Sequence, residues 1–225
     1  MTGRTTPVYC RNRQGEELTK SFANGKNFKK GKLILIGHSM GTILAAEMLR
    51  LFPELPFDDI IFMAAACSVK DLTDKIIPYL AYRDNHKINF YNLMLHPQAE
   101  TRESNLFGIG PVGSLLVWID QWFEKPDTVL DRTAGRLTNI GLNAHYIGNT
   151  LKKAGETSQG DVKSRFHLKV FPYRSKMEEE DVPMEHGSFD DFCFWQENFW
   201  KEQDPTIGYG RWAEGSCKGQ TIITD

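Results

Sequence analysis

The chain has 225 residues, a formal net charge of -2 and 40% hydrophobic residues, a composition typical of one globular domain with enough apolar surface for a core. A charge this close to neutral argues against a nucleic-acid binder and against a polybasic membrane binder. The N-terminus contains no apolar signal-peptide core, and no apolar run approaches the roughly 18 residues that a spanning helix needs. We therefore expect a cytoplasmic, single-domain protein over residues 1–225.

A polar, turn-rich segment at residues 1–31 opens the chain, with one short helix expected near Glu16–Phe22. Beyond it, four apolar segments predict buried strands: Lys32–Gly37, Asp58–Ala66, Lys87–Leu95 and Arg165–Tyr173. The first two are nearly continuous apolar runs, which is typical of strands covered on both faces of a parallel sheet. Helical apolar spacing follows each of these two strands, over Met40–Phe52 and Val69–Tyr82. The alternation predicts an α/β fold, a mostly parallel sheet with flanking helices.

A long region between the third and fourth strands, residues 97–164, holds one amphipathic segment, Val112–Phe123. Its length and aromatic content fit a cap or lid over the edge of the sheet, and equally a crossover helix with a surface loop. After the fourth strand we expect an aromatic helix, and residues 203–225 form a polar tail. The expected packing face of that helix consists of Phe189, Phe192, Phe194, Trp195 and Phe199.

The four cysteines, Cys10, Cys67, Cys193 and Cys217, are far apart and form neither a CxxC pair nor a His/Cys cluster with zinc spacing. We interpret Cys67 and Cys193 as buried thiols and Cys217 as exposed. No metal ion or organic cofactor is predicted.

The pentapeptide Gly37-His38-Ser39-Met40-Gly41 stands where the first strand gives way to the first helix. A serine hydroxyl is a poor nucleophile at neutral pH, so it needs a neighbouring base and donors for the oxyanion that forms. Glycines on both sides allow a sharp strand-to-helix turn that presents Oγ clear of the sheet. The Met40 N–H then points into the site at a helix N-terminus, which favours developing negative charge. This context predicts that Ser39 is a nucleophile.

The stretch LILIGHSMGTILAAEML resembles the nucleophile elbow of the α/β-hydrolases, in particular of their lipase and esterase branches. The resemblance implies a catalytic order of serine, an acid after a later strand, and histidine after the last strand. His186 follows the last predicted strand, so the resemblance implies that it is the base. His96 is its nearest competitor among the other histidines, but it ends the third strand, where the family places the acid.

The acid would orient the imidazole and stabilise its charged form. By the family's order it should lie just after the third strand, where HPQAETRES offers Glu100 first and Glu103 second. The family's usual residue there is Asp, although Glu occurs in some branches, and both glutamates also fit a solvated loop. Asp71, after the second strand, and Asp127 are the outsiders.

The resemblance covers roughly Lys32 to Trp200, which corresponds to the C-terminal half of the family's fold. Because no counterpart of the family's earlier strands precedes Lys32, the elbow strand is expected at or near a sheet edge, where it could pair with another chain. The second oxyanion N–H of the family also has no counterpart, a loss that can cost roughly two to three orders of magnitude in rate. We expect a piece of a longer hydrolase rather than an intact chain with impaired catalysis.

The leading hypothesis is a serine hydrolase that cleaves a partly apolar carboxylic ester through an acyl-enzyme. Ser39 attacks, His186 transfers the proton, Glu100 orients His186, and the Met40 N–H binds the oxyanion. The alternatives are a non-catalytic binding module of α/β-hydrolase type and an acyltransferase that passes the acyl group to an acceptor other than water.

Overall fold

A five-stranded sheet forms the centre of the computed structural model, which describes residues 9–11, 32–82, 87–103, 112–123, 126–158, 161–174, 181–215 and 217. The strands are adjacent in chain order, β1 to β5. Their bounds are Tyr9–Arg11, Ile34–His38, Asp59–Met63, Asn89–Met94 and Phe166–Val170. β2 to β5 are parallel, so the predicted α/β fold with a mostly parallel sheet is confirmed.

β1 runs antiparallel to β2 and pairs with it from Tyr9 opposite Ile36 to Arg11 opposite Ile34. The elbow strand β2 is therefore second from the edge, and its edge is occupied along these residues. The expectation that no strand precedes Lys32, which left this edge open to another chain, is therefore wrong at Tyr9–Arg11. The helix expected near Glu16–Phe22 lies outside the described residues.

Both faces of the sheet are covered, as the continuous apolar runs had predicted. Neighbouring residues of one strand join different cores, because side chains alternate between the faces. Leu35, Ile60 and Phe62 belong to the first core, whereas Ile61 and Met63 belong to the second. Because both faces of the sheet are buried, polar reacting groups are expected at the carboxyl ends of the strands.

The helices that flank the sheet include the two predicted from periodicity. α1 spans Gly41–Leu51, and the second predicted helix consists of α2 at Val69–Asp71, a π-helical turn at Leu72–Ile76 and α3 at Ile77–Ala81. In the described parts of the chain, no helix combines the length and apolar content that crossing a bilayer requires.

Residues 97–164 contain more regular structure than the sequence indicated. α4 is Pro97–Arg102, α5 is Leu115–Trp118 followed by a π-helical turn at Ile119–Phe123, α6 is Leu137–Leu142, and α7 is Ala144–Thr157. α7 packs on α3 and buries Ile147 and Leu151 in the first core. It therefore forms the crossover between β4 and β5, while Leu116 and Ile119 cover the second face.

The predicted aromatic helix is wrong in its extent. The chain instead forms a 3₁₀-helix at His186–Asp191, an irregular stretch, and α8 at Glu197–Lys201. The break occurs because the backbone pairs with residues further along the chain: Cys193 N–H donates to Gly210 O, at 2.9 Å. Phe189, Phe192 and Phe199 are nevertheless fully buried in the second core, as a packing face requires.

Two further contacts hold the C-terminal segment. Cys193 forms a disulfide with Cys217 across a Cα–Cα distance of 5.7 Å, so the prediction of a free thiol at Cys193 is wrong, whereas Cys67 is a free, buried thiol as predicted. The sequence did not indicate this pair, because the two cysteines are 24 residues apart and meet only where the segment at Gly210 runs beside Cys193. Lys169 of β5 donates to Phe199 O at 2.8 Å and to Tyr209 Oη at 2.7 Å.

A buried polar network connects α4 and the π-helical turn at Ile119–Phe123 to α6 and the segment before it. Asp120 accepts hydrogen bonds from the Thr133 N–H at 2.8 Å, from Arg136 Nη1 at 2.8 Å and from Asn139 Nδ2 at 2.7 Å. Glu100 receives a longer contact, 3.3 Å from Arg136 Nε. The Arg136 guanidinium thus contacts two carboxyl groups, and its hydrogen bond to Asp120 is shorter than its contact with Glu100.

Glu100 is only 1% exposed, and burial raises the pKa of its carboxyl group to about 7. Arg136 opposes this shift, whereas the neighbouring Asp120 and Glu103 add to it. A raised pKa means that the folded protein prefers the protonated carboxyl. The stability that this preference gives is present below the unfolded value near 4.5 and is lost as the pH rises through about 7.

We therefore expect the free energy of unfolding of the wild type, minus that of Glu100→Gln, to fall as the pH rises from 4.5 to 7. The slope should be at most about 1.4 kcal/mol per pH unit. Denaturant titrations at several pH values measure it, with Glu156→Gln, at an exposed position of α7, as the control. A difference that grows with pH would mean that Arg136 keeps Glu100 ionised.

A second prediction concerns the close approach of Gly135 to the turn after β3. A Cβ at Gly135 would lie 2.3 Å from Ala65 N, whereas one at Gly141 would meet nothing within 4 Å. We expect Gly135→Ala to lower the free energy of unfolding by about 2 kcal/mol or more, because backbone must shift. Gly141→Ala, in α6, should be neutral or slightly stabilising. Chemical denaturation of both variants tests this, and equal stability would contradict it.

Candidate active site

Ser39 occupies a strained turn at the carboxyl end of β2. Its φ is +51°, in the left-handed region that costs a non-glycine residue roughly 1–3 kcal/mol. The surrounding backbone enforces this conformation: Ser39 N–H donates to Met63 O at 3.0 Å, and Ser39 O accepts from Thr42 Oγ1 at 2.7 Å. A Cβ at Gly37 would lie 3.3 Å from Thr42, so a small residue is needed where α1 packs back on the strand. This is the geometry expected of a nucleophile elbow.

His186 lies against the serine hydroxyl. Its Nε2 is 2.8 Å from Ser39 Oγ, although the two residues are 147 positions apart in the chain. His186 is 6% exposed, and burial, and to a lesser degree the neighbouring titratable His38, lowers its pKa to about 3. The imidazole is therefore neutral near pH 7 and can accept the hydroxyl proton. The structure brings together the two residues that the sequence had named as nucleophile and base.

The predicted acid, Glu100, does not contact His186. Its carboxylate is turned towards Arg136, because the buried guanidinium is the cation available to it. Glu103, the second choice, is one turn further along the chain, and its Oε2 accepts the backbone N–H of His186 at 3.0 Å. The imidazole Nδ1 is buried and makes no hydrogen bond to the described residues.

The remaining sequence candidates have other contacts or lie elsewhere. Asp71 caps its own helix through Ser68 and pairs with Lys75, while Asp127 is exposed before the 3₁₀-helix at Val129–Asp131. His96 caps α4, with Nδ1 accepting the Gln98 N–H at 3.2 Å. These contacts give none of the three a role at Ser39.

The Met40 N–H is available for an oxyanion. No described residue accepts a hydrogen bond from it, and Met40 immediately precedes the 11-residue helix α1. Its position beside Ser39 and at the helix N-terminus is the one from which an N–H can donate to a developing negative charge.

His38 is a site residue that the sequence did not identify. Its Nε2 lies 2.9 Å from the backbone oxygen of His186, and its ring stands 5.4 Å from the His186 ring between centroids. Its place next to the nucleophile was visible in the sequence, but its partner, distant in the chain, was not. The described residues contain no group of three or more His, Cys, Asp or Glu side chains arranged to hold a metal ion.

Comparison of the chain with models of protein families, with curated proteins and with solved structures finds no match.

Proposed function

We propose that the protein is a serine hydrolase that cleaves a carboxylic ester through an acyl-enzyme. The observation that carries this proposal is the 2.8 Å contact between Ser39 Oγ and His186 Nε2 at a serine with a φ of +51°. Buried polar side chains from distant parts of a chain seldom meet at a strained residue without a functional reason.

In the proposed reaction, Ser39 Oγ attacks the ester carbonyl while His186 Nε2 accepts the hydroxyl proton. The carbonyl oxygen becomes an oxyanion that accepts the Met40 N–H. Collapse of the tetrahedral intermediate expels the alcohol, which takes the proton from His186, and leaves an acyl group on Ser39. Water then attacks the acyl group, with His186 again accepting and returning a proton, to release the acid and free Ser39.

We further propose Glu103, in place of Glu100, as the carboxylate that supports His186. During the reaction His186 becomes an imidazolium in a buried site, and an unpaired buried charge is costly. Glu103 is 6% exposed and its Oε2 already accepts the His186 backbone N–H, so its carboxyl group is within one residue's reach of the imidazole. Glu100 is engaged by Arg136 and has a raised pKa, which makes it a poor counter-charge.

The surface at the elbow supports a partly apolar small-molecule ester as the substrate. Met40 is 57% exposed and Leu44, one turn along α1, is 65% exposed. Val112 is 68% exposed and stands next to Gly113, whose N–H donates to Glu103 O at 2.8 Å. Exposed apolar side chains are thus available on α1 beside Ser39 and next to the backbone partner of Glu103, where they can contact an acyl or alcohol chain.

The Cys193–Cys217 disulfide bears on location. Cytosolic reductants keep most thiols reduced, so a structural disulfide favours an oxidising compartment over the cytoplasm that composition had led us to expect.

A fluorophosphonate probe, which modifies activated serines, tests the proposed function. We expect covalent labelling of the wild type at Ser39, none in Ser39→Ala, and at least about 100-fold slower labelling in His186→Ala, which lacks the base. Ser164→Ala, at an exposed serine, is the matched control. Mass spectrometry locates the adduct and circular dichroism confirms folding. A folded wild type that is not labelled would exclude the hydrolase and favour the binding module.

The acid assignment has a separate test. Glu103→Gln removes the charge but keeps an oxygen that can accept the His186 N–H, so we expect labelling of Ser39 to slow about 100-fold or more. Glu100→Gln should label within a few-fold of the wild type, because Glu100 lies outside the reacting groups. The second-order labelling rate constants measure both effects. The reverse ranking of the two variants would restore Glu100 as the acid.

A further inference from the structure

The backbone of His186 is held on both of its hydrogen-bonding sides by side chains from other elements. Its N–H donates to Glu103 Oε2 at 3.0 Å, and its carbonyl oxygen is 2.9 Å from His38 Nε2. Glu103 follows α4, whereas His38 is the last residue of β2. His186 is thus held by β2 and by the residue after α4, in addition to the contact of its own side chain with Ser39.

The donor in the contact between His38 Nε2 and the His186 carbonyl oxygen follows from the chemistry of the two atoms. A carbonyl oxygen can only accept, so His38 Nε2 must carry the proton and donate it. Burial lowers the pKa of His38 from its ordinary value, so the ring is neutral near pH 7 with its single N–H on Nε2. The ring also packs against Phe189, at 5.9 Å between centroids, and both contacts fix its orientation.

His38 therefore links Ser39 to His186 through one peptide bond and one hydrogen bond. Ser39 follows His38 directly, and His38 is paired with Met63 in the parallel ladder, so its backbone is part of the rigid sheet. His186 belongs to a short 3₁₀-helix beyond the last strand. Proton transfer requires the base within roughly 0.5 Å of its productive position. A hydrogen bond from the residue before the nucleophile sets that position relative to Ser39 itself.

We propose that His38 is a positioning residue, whose Nε2–H holds the His186 backbone so that the imidazole stays on the Ser39 hydroxyl. His38 does not exchange protons with the substrate. The inference rests on the proposed function, in which Ser39 and His186 react together. It adds a specific role for the residue between Gly37 and Ser39, which a bare elbow sequence leaves open to any side chain.

The test compares two substitutions of His38 with the same probe. His38→Phe keeps a flat ring beside Phe189 but has no donor, whereas Gln in His38→Gln carries an N–H₂ group near the position of Nε2. We expect His38→Phe to lower the maximal labelling rate at saturating probe by about 10- to 100-fold, with the half-saturating probe concentration within about twofold of the wild type. His38→Gln should be at least about fivefold faster than His38→Phe. His145→Phe, at an exposed position of α7, is the matched control.

A structural measurement keeps the inference testable apart from the reaction. Hydrogen–deuterium exchange of the peptide that contains His186–Asp191 should be faster in His38→Phe than in the wild type or His38→Gln, because one anchor of the segment is gone. Three results would overturn the role of His38. They are a labelling rate of His38→Phe equal to that of the wild type, an equal decrease of the labelling rate in both variants, and an unchanged exchange rate of the His186–Asp191 peptide in His38→Phe. Failure of the wild type to label would instead sink the proposed function, while the exchange result would still decide whether His38 holds this segment.

Discussion

The hydrogen bond from Ser39 N–H to Met63 O is the contact on which the arrangement of the site depends. It extends the parallel ladder of β2 and β3 by one residue beyond the strand and holds Ser39 where the chain must turn. The turn then requires a positive φ, and Thr42 and Ala66 satisfy the Ser39 carbonyl oxygen so that the strain persists. The serine is thereby presented at the end of a strand that is hydrogen-bonded to β1 and to β3, at the start of α1.

His186 has no such support from a strand, because it follows the last strand through a loop. Its position depends on contacts that converge from separate parts of the chain. Glu103 and His38 hold its backbone, and Ser188 Oγ caps its 3₁₀-helix by accepting the Glu185 N–H. The residues after this helix are held by the hydrogen bond from Cys193 N–H to Gly210 O and by the Cys193–Cys217 disulfide. A loop fixed in this way can hold one side chain in place while the rest of its residues serve packing.

The surroundings of His186 favour its neutral form. Burial, and to a lesser degree the neighbouring His38, lowers its pKa, so the ring is neutral near pH 7. The same burial would make an imidazolium costly unless a carboxylate lay beside it. We propose Glu103, whose Oε2 accepts the His186 backbone N–H, as that carboxylate, whereas burial is the main cause of the raised pKa of Glu100 and Arg136 opposes it.

Features that depend on local pattern could be predicted from the sequence alone. Continuous apolar runs predicted β2 and β3 within a few residues, because a strand buried on both faces has no polar alternation, and two glycines around Ser39 predicted the turn after β2. The family resemblance, together with the order of the predicted elements, pointed to His186. Features that depend on contacts between distant residues could not be read in this way. The folded structure was needed to show that Arg136 contacts Glu100, that Glu103 accepts the His186 N–H, that Cys193 pairs with Cys217, and that β1 pairs with β2. These outcomes depend on which side chains the folded backbone brings within about 3 Å of one another, and spacing along the chain does not specify that distance.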